Sequence, residues 1–266
     1  MASAMIGGLL KQRWKPGALR VVEVAAPARA RLARAFKVRT FPALSAAAVK
    51  ADCIVLAVKP QQMREVAGAL RPWLGSQLIV SIAAGIRIAD LARWLGGYRR
   101  LVRVMPNTPA LVRAGVSALY APAGVSEKER ARAEQILGAA GATLWLARED
   151  EMDAVTAVSG SGPAYVFYFM EALEQAATEL GLPAETARKL ALETFSGAAR
   201  LALASQDPVA VLRERVTSKG GTTERALGSM EAARVKEAIV RAVRAAAERS
   251  RELGDELGRD SSNPGG

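Results

Sequence analysis

Four short segments set polar and glycine residues at spacings that suit ligand chemistry. They are Ala57-Val58-Lys59-Pro60-Gln61, Met105-Pro106-Asn107-Thr108-Pro109, Ser159-Gly160-Ser161-Gly162-Pro163-Ala164-Tyr165 and Val216-Thr217-Ser218-Lys219-Gly220-Gly221-Thr222-Thr223. The last is the most specific. Two glycines between hydroxyl residues at a helix start leave several backbone N–H groups open, and such a nest binds an anion, a carboxylate among them. The hydroxyls of Thr222 and Thr223 both donate and accept. An ordinary capped turn is the alternative. The first two segments follow apolar runs that read as strands, and open α/β sheets bind ligands at strand C-terminal ends. There Lys59 meets either a phosphate or ribose, or only solvent. Asn107 and Thr108 either face a cleft or cap a turn that two prolines make rigid. The Ser159–Tyr165 segment is equally readable as a kink between closely packed helices.

Several elements must position these segments. Leu19–Val24, Cys53–Ala57, Leu78–Ser81, Leu101–Met105, Gly115–Tyr120 and Ala142–Leu146 read as strands. Between them lie helical stretches at Pro27–Phe36, Pro60–Leu70, Ile88–Leu95 and, behind the capping box Ser126-Glu127-Lys128-Glu129, up to Ala140. This alternation predicts an α/β fold, a doubly wound, mostly parallel sheet covered on both faces. Its buried strands include Cys53–Ala57. The character changes near Arg148–Met152. Beyond it only helices are expected: Pro163–Leu180, Pro183–Ser205, Pro208–Arg215, Thr223–Met230 and Val235–Leu257. The tail Asp260–Gly266 reads as frayed. Two domains follow, 1–147 and 148–266, the first α/β and the second all-α.

Met1–Leu10 reads as a helix rich in small residues. In a dinucleotide-binding unit such a helix follows a strand and a Gly-x-Gly-x-x-Gly/Ala turn, whose amides bind the pyrophosphate. Neither the strand nor the first two glycines stands before it, so the natural chain is expected to start upstream. Without that central strand two neighbouring strands keep unpaired backbone groups. Each buried orphan costs about 1–3 kcal/mol, against a net stability of ~5–15 kcal/mol.

Composition narrows the chemistry. Of the 266 residues half are hydrophobic, enough for one large or two ordinary domains. The net charge is +11, but arginines and acids alternate along helical stretches with no aromatic interleaving. That pattern argues for a solvated basic surface and against nucleic-acid binding. The chain has no histidine, which excludes a histidine triad and most zinc sites; no metal is expected. The single cysteine, Cys53, is expected buried in a strand. No apolar stretch reaches the ~20 residues a bilayer span needs, and no signal peptide opens the chain. A cytoplasmic protein that does not enter membranes is the expectation.

With these residues in view, the sequence resembles the pyrroline-5-carboxylate reductases. The resemblance runs from Met1 to about Arg259. It rests on Ala57–Gln61, Ser81-Ile82-Ala83-Ala84-Gly85, Val104–Pro109, Ala157–Tyr165 and, most specifically, Leu212–Glu231. It implies a Rossmann domain followed by a helical domain through which two chains interlock, with higher assembly open. It implies reduction of 1-pyrroline-5-carboxylate to L-proline by NADPH or NADH. Thr223 would hydrogen-bond the ring nitrogen as the catalytic residue. Gly220, Gly221 and Thr222 would hold the carboxylate through their backbone, with Val216 and Ser218 lining the pocket. Met1, Ala2, Val58, Lys59, Pro60, Ala84 and Asn107 would meet the cofactor. Lys219 stands where many members have proline. Glu23 lies at the distance from the glycine turn where an acid favours NAD, whereas Arg29 or Arg31 would favour NADP. Two other readings stay open: a related reductase of another imine or oxo acid, and a non-catalytic chain that dimerises without binding a dinucleotide.

Overall fold

The computed structural model describes residues 1–259; the expected frayed tail lies outside the described residues. The chain forms two compact units: Met1–Ser161 with the chain from Ala246 onward, and Gly162–Ala245. These differ from a cut at 147/148 in two places. The helical turns just past residue 150 stay with the first unit, and the closing helix returns to it. That return is held by the Ser250 hydroxyl donating to Asp153 at 2.7 Å and by Arg87 pairing with Asp255 at 2.7 Å.

In the first unit, α1 (Ala2–Lys11) leads to β1 (Arg20–Val22), α2 (Ala26–Phe36), β2 (Arg39–Phe41) and α3 (Ala46–Val49). Then follow β3 (Cys53–Leu56), α4 (Met63–Leu70), β4 (Leu78–Ser81), α5 (Ile88–Trp94), β5 (Leu101–Pro106), β6 (Gly115–Tyr120), α6 (Glu127–Gly138), β7 (Gly141–Trp145) and α7 (Glu151–Val155). A five-stranded sheet runs β3-β4-β5-β6-β7, parallel except for the β5–β6 pair, and β1 pairs in parallel only with β2. Among the described residues β1 and β3 are not bonded to each other and each keeps one edge unpaired, the opening expected from the sequence.

That opening corrects one expectation. Cys53, Ile54 and Val55 are half-buried, whereas all four residues of β4 are buried. A strand at an edge lacks a neighbour to cover one flank. On the sheet proper the period-two rule holds. Leu78, Val80, Val102 and Val104 pack on one face with α1 and α6, while Ile79 and Leu101 pack on the other with α4 and α5. Gly8 lets α1 approach closely, since a Cβ there would lie 2.1 Å from the Ala139 carbonyl oxygen. The capping box of α6 forms: the Glu129 carboxylate accepts from the Ser126 N–H at 2.9 Å.

The second unit is helical, with no strand among its described residues. α8 (Gly162–Glu179) and α9 (Ala184–Ala204) form a hairpin that turns at Gly181-Leu182-Pro183. α10 (Val209–Arg215), α11 (Thr222–Ala232) and the first part of α12 (Val235–Gly258) complete it. α8 buries none of its 18 residues, although it carries Phe167 and Tyr168, 57% and 73% exposed. A helix this apolar and this bare presents an interface rather than a solvent face.

Candidate functional site

In the first unit the parallel register of β3, β4 and β5 brings three of the sequence-selected loops to one edge. Lys59 follows β3 as the cap of the 3-10 turn Pro60–Gln62; its side chain is exposed and Val58 beside it is half-buried. Ala84 is exposed just beyond β4. Asn107 follows β5, and its Oδ1 accepts the Val116 N–H at 2.9 Å. One face of that carboxamide is thus committed to holding β6 against the loop. The next turn, Thr108–Val112, packs on α1. Met1 caps α1, its carbonyl accepting from Ala4 and Met5 at 2.9 and 3.2 Å, and Ala2 opens the helix. Among these residues are an exposed cation, small side chains and a helix N-terminus. No Gly-x-Gly turn precedes α1 in this sequence.

The residues weighed for ribose recognition lie at the β1–α2 turn. Glu23 is spent on that turn, its Oε1 accepting the Ala25 N–H at 2.9 Å. Arg29 donates to the carbonyls of Glu23 and Val24 at 2.8 and 3.2 Å. Arg31 is exposed.

The Ser159–Tyr165 segment is a kink. Thr156–Gly160 winds as a π-helix, the Ser159 hydroxyl donates to the Val155 carbonyl at 3.0 Å, and a Cβ on Gly160 would lie 2.4 Å from Met105 Cε. Its small residues serve packing.

The second unit holds the glycine–threonine turn. Val216 closes α10 and is 61% exposed, and Ser218 is exposed. Gly220 has φ +73, the left-handed region that favours glycine, and Gly221 caps α11. Thr222 and Thr223 occupy its first turn, exposed and half-buried respectively. Their N–H groups are among those a helix leaves open at its start. The Gly221 N–H is taken by the Ser218 carbonyl at 3.0 Å. The Gly220 N–H is taken by the carboxylate of Glu224 at 2.6 Å. A depression of about 680 Å³ opens here, lined by Gly220, Gly221, Glu224, Arg225, Gly228 and Ser229. Val216, Ser218 and the two threonines are not in its lining.

Glu224 was missed by the sequence reading. The signal was available: a glutamate at the third helical position commonly reaches back to an amide before the helix. Among the described residues no group of acids, histidine or cysteine could hold a metal. No described helix is long and apolar enough to cross a membrane.

Known proteins are similar to this chain along nearly its whole length. Residues 149–253 match the family model described as pyrroline-5-carboxylate reductase dimerisation, and residues 1–85 that of NADP oxidoreductase, coenzyme F420-dependent. A curated relative, the pyrroline-5-carboxylate reductase of Pseudomonas aeruginosa, is 49% identical over 97% of this chain and 95% of its own. The solved structure of a pyrroline-5-carboxylate reductase from Coxiella burnetii aligns with TM-score 0.90 at 39% identity, covering 95% of this chain and 94% of that one. The Plasmodium falciparum pyrroline carboxylate reductase, solved with NADP bound, aligns with TM-score 0.84 at 31% identity over 95% and 94%.

Proposed function

Because this chain belongs to the pyrroline-5-carboxylate reductase family, we propose that the turn from Val216 to Thr223 is where it holds its substrate. The chain is an oxidoreductase that reduces the C=N bond of 1-pyrroline-5-carboxylate to give L-proline, with NADH or NADPH as cofactor. The observation that carries the site assignment is the left-handed Gly220 followed by a helix whose first turn offers the amides and hydroxyls of Thr222 and Thr223.

The chemistry asks little acid or base of the protein. Protonation of the ring nitrogen makes the imine carbon electrophilic, and a substrate that arrives as iminium already carries that proton. The reduced nicotinamide supplies the hydride when bound. The chain binds and orients. Amides of the turn hold the carboxylate, Thr223 fixes the ring nitrogen through its hydroxyl, and Val216 and Ser218 border the ring. Fixing geometry in this way removes much of a barrier without any strong catalytic acid. The absence of histidine is compatible with it.

Met1, Ala2, Val58, Lys59, Pro60, Ala84 and Asn107 would hold the dinucleotide, making 1–147 the cofactor domain and the helices after it the substrate and dimerisation domain. Two copies associate through those helices, for which the bare face of α8 is the support. We place the protein in the cytoplasm. The test is direct: mixing the chain with 1-pyrroline-5-carboxylate and NADPH should bleach the nicotinamide absorbance and yield proline. Proline without nicotinamide oxidation, or neither, would overturn the reading.

A further inference from the structure

We propose that Glu224 is a built-in counter-anion of the substrate turn: its carboxylate holds the Gly220 amide until the carboxylate of the substrate displaces it. The proposal rests on the reading that this turn is the substrate site.

Three observations carry it. The Gly220 N–H donates to Glu224 Oε2 at 2.6 Å, a hydrogen bond to a charged acceptor. Glu224 is exposed and lines, with Gly220, the open depression beside the turn, so its carboxylate has room to swing away from the amide. Among the described residues Glu224 makes no ion pair with its neighbours Lys219 or Arg225, and its carboxylate is held by the Gly220 amide.

The consequence follows from counting donors. With the Gly221 N–H tied to Ser218 and the Gly220 N–H tied to Glu224, an incoming carboxylate finds only the open amides of the α11 first turn. Displacing Glu224 adds the Gly220 amide. Until it moves, Glu224 also repels any anion that approaches. The residue therefore sets affinity for the carboxylate and acts as a positioning residue, with no contact to the reacting carbon required.

The test compares wild type with Glu224→Ala and Glu224→Gln. Readouts are KM for 1-pyrroline-5-carboxylate, inhibition by L-proline, and KM for NADPH as an internal reference. Removing an anion that competes for a charge-assisted bond should lower the substrate KM and the inhibition constant of L-proline about three- to tenfold in the alanine variant. Glutamine, a neutral acceptor, should fall between, and KM for NADPH should not follow. A rise in substrate KM with alanine that glutamine restores would make Glu224 a brace of the turn and overturn the proposal, as would unchanged constants in both. Gly220→Ala separates the two levels. If it raises substrate KM while the Glu224 variants change nothing, the site reading stands and the counter-anion fails. If it too leaves KM unchanged, the site reading fails and takes the proposal with it.

Discussion

Arg103 on β5 donates to Glu149 at 2.9 Å with its guanidinium only 7% exposed, and the same carboxylate oxygen accepts the Ile88 N–H at 2.8 Å. One acid therefore ties the sheet to the start of α5 just before the chain enters α7. The pair is asymmetric, because Glu149 is a quarter exposed while Arg103 is not. Glu149→Ala strands a buried cation and should cost about 3 kcal/mol, the lower end for a broken buried pair. Arg103→Met removes the charge together with its need for a partner and should cost less. Denaturant titration of both variants measures this; the reverse order would show that the pair is not the source of the effect.

Asn107 separates a structural from a cofactor role. Its Oδ1 holds the Val116 N–H, so Asn107→Ala should lower the melting temperature, reflecting about 1–3 kcal/mol for the orphaned amide. Asn107→Asp keeps the acceptor and should melt near wild type. If the dinucleotide lies along this edge, the added negative charge should raise KM for NADPH. An aspartate variant with wild-type KM for NADPH would remove Asn107 from the cofactor contacts.

The bare face of α8 gives a prediction about assembly. Phe167→Asp combined with Tyr168→Asp puts two charges where 57% and 73% of the side chains are exposed in the single chain. Sedimentation should show the double variant shifted toward monomer at concentrations where wild type is dimeric. An unshifted variant would place the interface on another face.

Cys53 should react sluggishly as a thiol although its edge strand leaves it half-buried. Desolvation pushes its pKa from 9.0 up to about 12, outweighing the nearby Arg132, which lowers it; Asp52 raises it further. Reaction with a disulfide reagent at pH 8 should be slow and should speed up on unfolding. The sign for stability follows from linkage. The folded chain holds this proton more tightly, so the contribution is complete below pH 9 and is lost as pH rises toward 12. Melting temperature should therefore decline across that window, and Cys53→Ser should flatten part of the decline.

Much of the fold was legible because its strands are short apolar runs between turn residues. Leu78–Ser81 and Gly115–Tyr120 were bounded as observed. What escaped was brief or non-local. Arg39–Phe41 has three residues and one large apolar side chain, too little for a period to register. Ala46–Val49 had a legible start in Ser45, whose hydroxyl accepts the Ala48 N–H at 3.3 Å, but only four residues of helix. The return of α12 depends on Ser250 meeting Asp153, 97 positions away, which no local pattern encodes. At the site, the glycines and threonines were readable from type and spacing. The occupant of the Gly220 amide was not, because Glu214 and Glu224 both flank the turn and only the folded backbone decides which carboxylate reaches it.

The central claim is that Thr223 acts on the ring nitrogen of the substrate, and Thr223→Ala tests it most directly. The account predicts that kcat with 1-pyrroline-5-carboxylate falls about tenfold or more, the weight of one oriented hydrogen bond. The dissociation constant for NADPH, titrated by fluorescence, should stay at the wild-type value. A kcat that survives the substitution, or a loss that lies wholly in NADPH binding, would contradict it.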